Sequence, residues 1–335
     1  MNKRPTILDV ARHAGVSKST VSLVLQNSAA VKASTRAAVE KAMVDIGYVY
    51  NRSAAGLRGA SSGLIGLVIN DLRNPFFTEF AASIQMTFAR KGFSTVIANT
   101  DENPDIQATV IASMIEHGVS AFVISPTYAP DLSAFDRLEK SGIPTMQVLR
   151  QVDERTDIFP FASLDYMAGS RLATKHLLEL GCKRIAFVGG LEDRPVTLER
   201  VSGYNELMDA EGRERIYYHG RPSRTFGRDI ARRMAREDTR PDGVICFSDL
   251  VALGMISGFA ETDILPGKDI RMVGFDDIEE SSLCFPRLSS IRCDVSRFGE
   301  NSAQALLNWL EQGDKPEATK RYPVELIVRQ SSMRL

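Results

Sequence analysis

The sequence predicts an N-terminal all-α helix-turn-helix head joined to an α/β core of two lobes, each a doubly wound parallel sheet. Three observations carry that reading. Residues 6–27 hold two short helical patterns separated by a Gly15-Val16 turn. Gly59-Ala-Ser-Ser-Gly63 then interrupts the chain with a flexible, turn-forming composition. From Leu64 onward, short apolar runs alternate with amphipathic helical stretches, and the alternation restarts near Phe161.

The elements follow in order. Thr6 reads as the cap of a first helix, with Asp9 placed to satisfy its first amides and Gly15 as the left-handed residue that ends it. Ser17 caps a second helix whose Val21, Val24 and Leu25 form an apolar stripe, leaving Lys18, Ser19 and Ser22 on the other face. A third helix carries Val39, Ala42, Met43 and Ile46 on one side and stops at Gly47, closing a head over residues 1–50. Residues 51–62 form a linker with a helical stretch, Asn51 to Arg58, too short to be stable alone. The core, 63–335, reads as lobe one over about 63–160 and 295–322, and lobe two over about 161–291 and 323–335. Phe161–Leu164 is expected to open lobe two, and Tyr322–Val328 to be one strand near the junction. Right-handed crossovers then place a cleft between the carboxyl ends of the two sets of strands.

Composition narrows the class. With 44% hydrophobic and 25% charged residues in 335, the chain is expected to be soluble and large enough for two or three domains. No apolar run is long enough for a membrane span, and the basic N-terminus lacks a signal-peptide core. Cys182, Cys246, Cys284 and Cys293 lack metal or disulfide spacing, which suits a reducing, cytoplasmic setting without a metal or cofactor. The net charge of −1 hides an asymmetry: residues 1–60 carry nine Lys or Arg against three acids, so the head is near +6. A small basic module on an acidic body is the footprint of a phosphate-backbone binder. Gly15-Val-Ser-Lys-Ser-Thr20 is not a phosphate loop, because Ser17 stands where that pattern needs glycine.

Further motifs place the chain in a family. Thr6-Ile-Leu-Asp-Val-Ala, Gly15-Val-Ser-x-x-Thr-Val-Ser22, Thr35-Arg36, Gly47-Tyr48 and Asn51-Arg52 resemble the head of the lac/gal repressor family. Asn74-Pro-Phe-Phe77, His176-Leu-Leu-Glu-Leu-Gly181, Arg184-Ile-Ala-Phe-Val-Gly189 and Val273-Gly-Phe-Asp-Asp277 are similar to its core signatures. The resemblance implies a DNA-binding head, a hinge helix and a core like periplasmic sugar-binding proteins. It also implies effector-controlled repression by a homodimer on double-stranded operator DNA, in the bacterial cytoplasm at the nucleoid, with no membrane partner. No heptad stretch follows the last strand, so no tetramer-forming tail is expected.

Carried over by position, Lys18, Ser19 and Leu23 would read bases in the major groove, where relatives often have arginine at the place of Leu23. Thr20, Ser22 and Asn27 would contact phosphates, which position without specifying. Thr6, Ser17, Asn51, Ser53 and Ala54 complete the DNA-facing set, and Leu57 would be the minor-groove wedge. For the effector, the resemblance points to Phe76, Phe77, Arg200 and Asp276, then Arg150, Arg194 and Ser248; Asp71 and Ser125 also follow strands. Aromatic faces beside Asp and Arg suit a sugar's apolar face and hydroxyl rim, and several arginines suit a sugar acid or sugar phosphate. Asp165 and Asp249 fit a helix cap or salt bridge equally well. Asp276-Asp277-x-Glu279-Glu280 could suggest a magnesium enzyme, but no phosphate loop, nucleophile elbow or GxGxxG accompanies it. A secreted solute-binding protein is excluded by the basic head and the missing signal peptide.

Overall fold

The computed structural model describes residues 5–25, 28–49, 63–128 and 132–333, and the chain divides after Ser62 into two units. In the first unit, α1 (Ile7–Ala14) begins where the Asp9 carboxylate accepts the Thr6 N–H at 2.9 Å and the Thr6 hydroxyl at 2.6 Å. It ends at Gly15, whose φ of 65° needs no Cβ to be accommodated. In α2 (Lys18–Leu25), the Ser17 hydroxyl accepts the Thr20 N–H at 3.1 Å, as a cap should. With α3 (Ala33–Ile46) these helices enclose a small core of Val10, Val21, Val24, Val39 and Ala42, against which Tyr48 packs.

The second unit contains two six-stranded sheets. Lobe one comprises β1 (Leu64–Ile69), α4 (Pro75–Arg90), β2 (Ser94–Asn99), α5 (Pro104–Glu116), β3 (Ala121–Ile124), α6 (Ser133–Ser141), β4 (Thr145–Val148) and β5 (Phe161–Leu164). Lobe two takes α7 (Tyr166–Glu179), β6 (Ile185–Val188), α8 (Pro195–Ala210), β7 (Ile216–Tyr218), α9 (Arg224–Met234), β8 (Gly243–Cys246) and α10 (Asp249–Phe259). It continues through β9 (Arg271–Asp276), the short α11 (Glu279–Leu283) and β10 (Ser289–Arg292). The chain then returns to lobe one for α12 (Val295–Gln312) and β11 (Thr319–Tyr322), and ends in lobe two with β12 (Glu325–Ile327). The sheet orders are β11-β5-β4-β3-β1-β2 and β12-β10-β9-β8-β6-β7. Within the described pairings only β10 and β12 run antiparallel.

Two sequence expectations need correction. Phe161–Leu164 does not open lobe two: Gln147 of β4 and Thr319 of β11 both pair with Phe161, so the strand belongs to the first sheet. A renewed strand-helix rhythm says that a strand begins, not which sheet it joins. The stretch Tyr322–Val328 is two strands rather than one, divided around Pro323, and they lie in different sheets. The chain therefore passes between lobes after Leu164, after Arg292 and after Tyr322. No helix among the described residues is long and apolar enough to cross a membrane.

Candidate effector site

The parallel strands of both lobes deliver their carboxyl ends to one cavity of about 280 Å³. The first turns of α4, α7, α8 and α10 contribute Phe76, Tyr166, Thr197 and Leu250 to its wall. The described non-glycine residues with positive φ are Asp101, Glu102, Leu149, Asp193, Asp276 and Asp277. Glu102, Leu149 and Asp276 line the cavity, and Asp101, Asp193 and Asp277 are each adjacent in sequence to a residue that does. Backbone strain of this kind persists where surrounding structure enforces it, and it concentrates at binding sites.

The floor is a buried contact between an arginine and an aspartic acid. Asp276 is 5% exposed and Arg200 5%, and Arg200 Nη2 lies 3.6 Å from Asp276 Oδ1. That separation is longer than the ~2.7–2.9 Å of a charge-assisted hydrogen bond. Arg200 is held chiefly by other contacts: its guanidinium stands 4.6, 4.5 and 4.0 Å from the Tyr166, Phe247 and Phe275 ring centroids. Its Nη1 also donates to the Phe247 carbonyl. Burial pushes the Asp276 carboxyl well above the usual carboxylate range, against the opposing pull of Arg200. Four buried polar atoms here have no hydrogen-bond partner in the protein: Asp276 Oδ1, Arg200 Nε, Ser248 Oγ and Thr197 Oγ1. Each such group costs roughly 1–3 kcal/mol unless something satisfies it. Their convergence beside Phe76 (4% exposed) and Phe77 is what a hydroxylated ligand with an apolar face would need.

Nearer the mouth, Tyr128 of lobe one reaches lobe two. Its Oη accepts the Val196 N–H at 3.2 Å, and its ring faces Arg150 at 5.1 Å and Arg194 at 5.6 Å. Arg150 donates to both oxygens of Glu102, at 2.6 and 2.8 Å. Arg221 pairs with Asp101 at 3.4 Å across the cleft. Asp71 accepts from Arg73; burial alone would raise its carboxyl, but the bonds and charge of Arg73 lower it overall.

Of the residues expected from sequence, Asp71, Phe76, Phe77, Arg150, Arg194, Arg200, Ser248 and Asp276 all line this cavity. Ser125 is a correction. It is fully buried, its N–H donates to Val68 O at 2.9 Å as a continuation of the β3 ladder, and its hydroxyl donates to Asn70. Asp165 and Asp249 are structural: Asp165 accepts the Ala168 N–H, while Asp249 accepts Ser281, Ser290 and the Ile278 N–H. Burial raises Asp249 as well, with the serine bonds opposing. Tyr128, Tyr166, Thr197, Phe247, Glu102 and Arg221 also line the cavity, and sequence reasoning missed them. Asp277 faces Arg292 and Arg329 instead, at 2.8 and 2.6 Å.

In the head unit, Thr6, Ser17, Lys18 and Ser19 are exposed, Thr20 and Ser22 are half-buried, and Leu23 is 40% exposed. Leu23 thus lies on the outer face of α2 rather than in the head core. Asn27, Asn51, Ser53, Ala54 and Leu57 fall outside the described residues.

A family model described as "Bacterial regulatory proteins, lacI family" matches residues 6–51, and one for a "Periplasmic binding protein-like domain" matches residues 174–332. The ribose operon repressor of Halalkalibacterium halodurans is 31% identical over 333 residues, covering 98% of this chain and 97% of that protein. The chain belongs to the LacI family. The lactose operon repressor of Escherichia coli, another LacI-family protein, is 29% identical over 99% of this chain and 91% of its own length. Among solved LacI-family structures, the lac repressor dimer bound to operator and the anti-inducer ONPF superposes with a TM-score of 0.87. It is 28% identical and covers 99% of this chain and all of its own. A LacI-family regulator from Enterococcus faecium with bound ribose aligns at TM-score 0.74 and 26% identity, over 81% of this chain and 99% of that one. The LacI-family model at 6–51 spans the helix-turn-helix, and the second model spans most of lobe two together with α12 and β11.

Proposed function

We propose that this protein is an effector-controlled repressor of a carbohydrate-uptake or catabolic operon, acting at the bacterial nucleoid as a homodimer on a two-fold symmetric operator. The observation that carries the effector half is the set of orphaned buried polar atoms in the cavity between the lobes. The exposed Lys18, Ser19 and Leu23 face of α2 carries the DNA half. The effector is a hydroxylated small molecule, and the site works by binding rather than by catalysis, without a cofactor. A ligand touching both lobes favours their closed arrangement, and only such differential affinity shifts operator binding. Homodimer formation is supported by β2, an edge strand of the first sheet that exposes Val96 and Ile97. One head makes few contacts, and a second copy doubles them over matched half-sites.

The test is selection of duplexes from a randomised pool by the full chain. Enrichment of a two-fold symmetric sequence bound by a dimer is expected, with Leu57→Ala weakening it by roughly 1–3 kcal/mol, the scale of a lost specific contact. Recovery of asymmetric or unrelated sequences, or a monomer on DNA in sedimentation, refutes the reading.

A further inference from the structure

We propose that the effector of this site carries a negative charge, and that Arg194 at the cavity mouth is the residue that selects it. The proposal rests on the cavity being the effector site and adds the ligand's charge class: an anionic, polyhydroxylated molecule, either a sugar carboxylate or a sugar phosphate monoester.

Charge pairing around the cavity singles out Arg194. Asp71 is paired with Arg73 at 2.7 Å, Glu102 with Arg150 at 2.6 Å, Arg221 with Asp101 at 3.4 Å and Asp276 with Arg200 at 3.6 Å. Arg194 lines the same cavity and has no carboxylate within 4.0 Å among the described residues. It is exposed, yet it is not loose: its guanidinium lies over the Tyr128 ring at 5.6 Å, and the Tyr128 hydroxyl holds the Val196 amide two residues on. Five donors in a planar fork are thereby presented at the entrance, a geometry suited to carboxylate and phosphate.

A second observation points the same way. The amino-terminal turns of α4, α7, α8 and α10, helices of 16, 14, 16 and 11 residues, meet at this cavity. Each directs the positive end of its helix dipole towards the cavity. Thr197 in the first turn of α8, 1% exposed, and Ser248 just before α10, 4% exposed, have unpartnered hydroxyls. Asp276 and Arg200 would engage hydroxyl groups at the inner end, and the anionic end of the ligand would face Arg194. A neutral sugar fills only the inner half of that arrangement and leaves the Arg194 donors to water.

The experiment is calorimetric titration of the full chain with matched probes. These are D-glucose, D-galactose and D-ribose against D-gluconate, D-galactonate, D-glucuronate, glucose 6-phosphate and ribose 5-phosphate. At least one acid or phosphate is expected to bind ten-fold or more tightly than its neutral counterpart. Arg194→Gln should cut that anion-to-neutral ratio ten-fold or more, and Arg194→Lys should restore part of it. A phosphate ester loses affinity between pH 7.5 and pH 5, because its second ionisation lies near pH 6. A sugar carboxylate, ionised throughout that range, keeps it. Neutral sugars binding while every anion is silent would overturn the proposal and leave the effector site intact. Silence of both classes would overturn both readings. If Arg194 only latches the lobes through Tyr128, Arg194→Gln weakens neutral and anionic probes alike; an unchanged ratio therefore also overturns the proposal.

Discussion

Replacing Asp276 with asparagine separates a carboxyl that waits for a ligand from one that holds the fold together. The side chain is buried, its Oδ1 has no hydrogen-bond partner, and its contact with Arg200 is 3.6 Å. Arg200 keeps three aromatic faces and the Phe247 carbonyl without it. With burial holding its carboxyl protonated, Asp276 gives Arg200 little negative charge to lose, so a neutral side chain of the same size should cost less than about 1 kcal/mol, whereas breaking a true buried ion pair would cost about 3–5 kcal/mol. Asparagine has the same shape as the aspartate it replaces, so it adds no steric load at the positive φ of 119° that this position imposes. The pH dependence follows from the raised carboxyl. Above about pH 4 the unfolded chain has lost this proton while the folded chain still holds it, so stability falls as pH rises towards the folded pKa. The Asp276→Asn variant has no such loss, so its stability relative to the parent should grow from pH 4.5 to pH 8. Asp249 also titrates and its charge helps to raise Asp276, so the difference reports the two carboxyls together rather than Asp276 alone. Effector affinity should fall roughly 5- to 150-fold, the equivalent of about 1–3 kcal/mol for an unpaired ligand group. Urea unfolding at pH 4.5, 6 and 8 and calorimetry with the effector measure the two effects. A variant less stable than the parent by more than about 1 kcal/mol at pH 8 would make Asp276 a structural partner of Arg200 and refute the reasoning.

Two further outcomes are expected. Ser248 precedes α10 but its side chain makes no cap hydrogen bond, so Ser248→Ala should leave urea stability unchanged or slightly higher while costing about 1 kcal/mol of effector affinity; a stability loss near 1 kcal/mol would mean that it caps the helix after all. Lys18→Ala should lower the slope of log operator affinity against log salt by about 1 if Lys18 meets a phosphate, as binding at several salt concentrations would reveal. An unchanged slope with altered base preference would assign it to base reading instead.

The head and the alternation of the core were legible because both rest on local rules. Gly15 and Gly47 mark left-handed helix ends, and the valines of α1, α2 and α3 recur at helical spacing. Site residues at strand ends were legible for a related reason: parallel strands put all their carboxyl ends on one edge, so residues after β1, β4, β8 and β9 were candidates before any geometry was known. The same rule misplaced Ser125, because the β3 ladder continues through its N–H and turns its side chain inward towards Asn70. Tyr128 is three residues further along, with no motif around it, and only the neighbouring lobe gives it a partner in Val196.

What sequence could not supply is therefore information about pairing across large separations. Phe161–Leu164 is a strand by composition, but its sheet is decided by pairing with β4, which the strand-helix rhythm does not show, and Thr319–Tyr322, more than 150 residues later in the chain, joins that sheet only through it. Arg200 was legible as an effector candidate by its position in the family pattern, but not the Tyr166, Phe247 and Phe275 rings that surround it from three other elements. Those rings hold the guanidinium without saturating it, since Nε has no partner and the nearest Asp276 oxygen has none either. A core built only for stability would have closed those bonds within the protein, at a gain of about 1 kcal/mol each. Lobe two instead holds four open polar valences, and a ligand that completes them while packing on Phe76 and Phe77 of lobe one touches both lobes at once, which is how occupancy of the cavity becomes a force on their relative position.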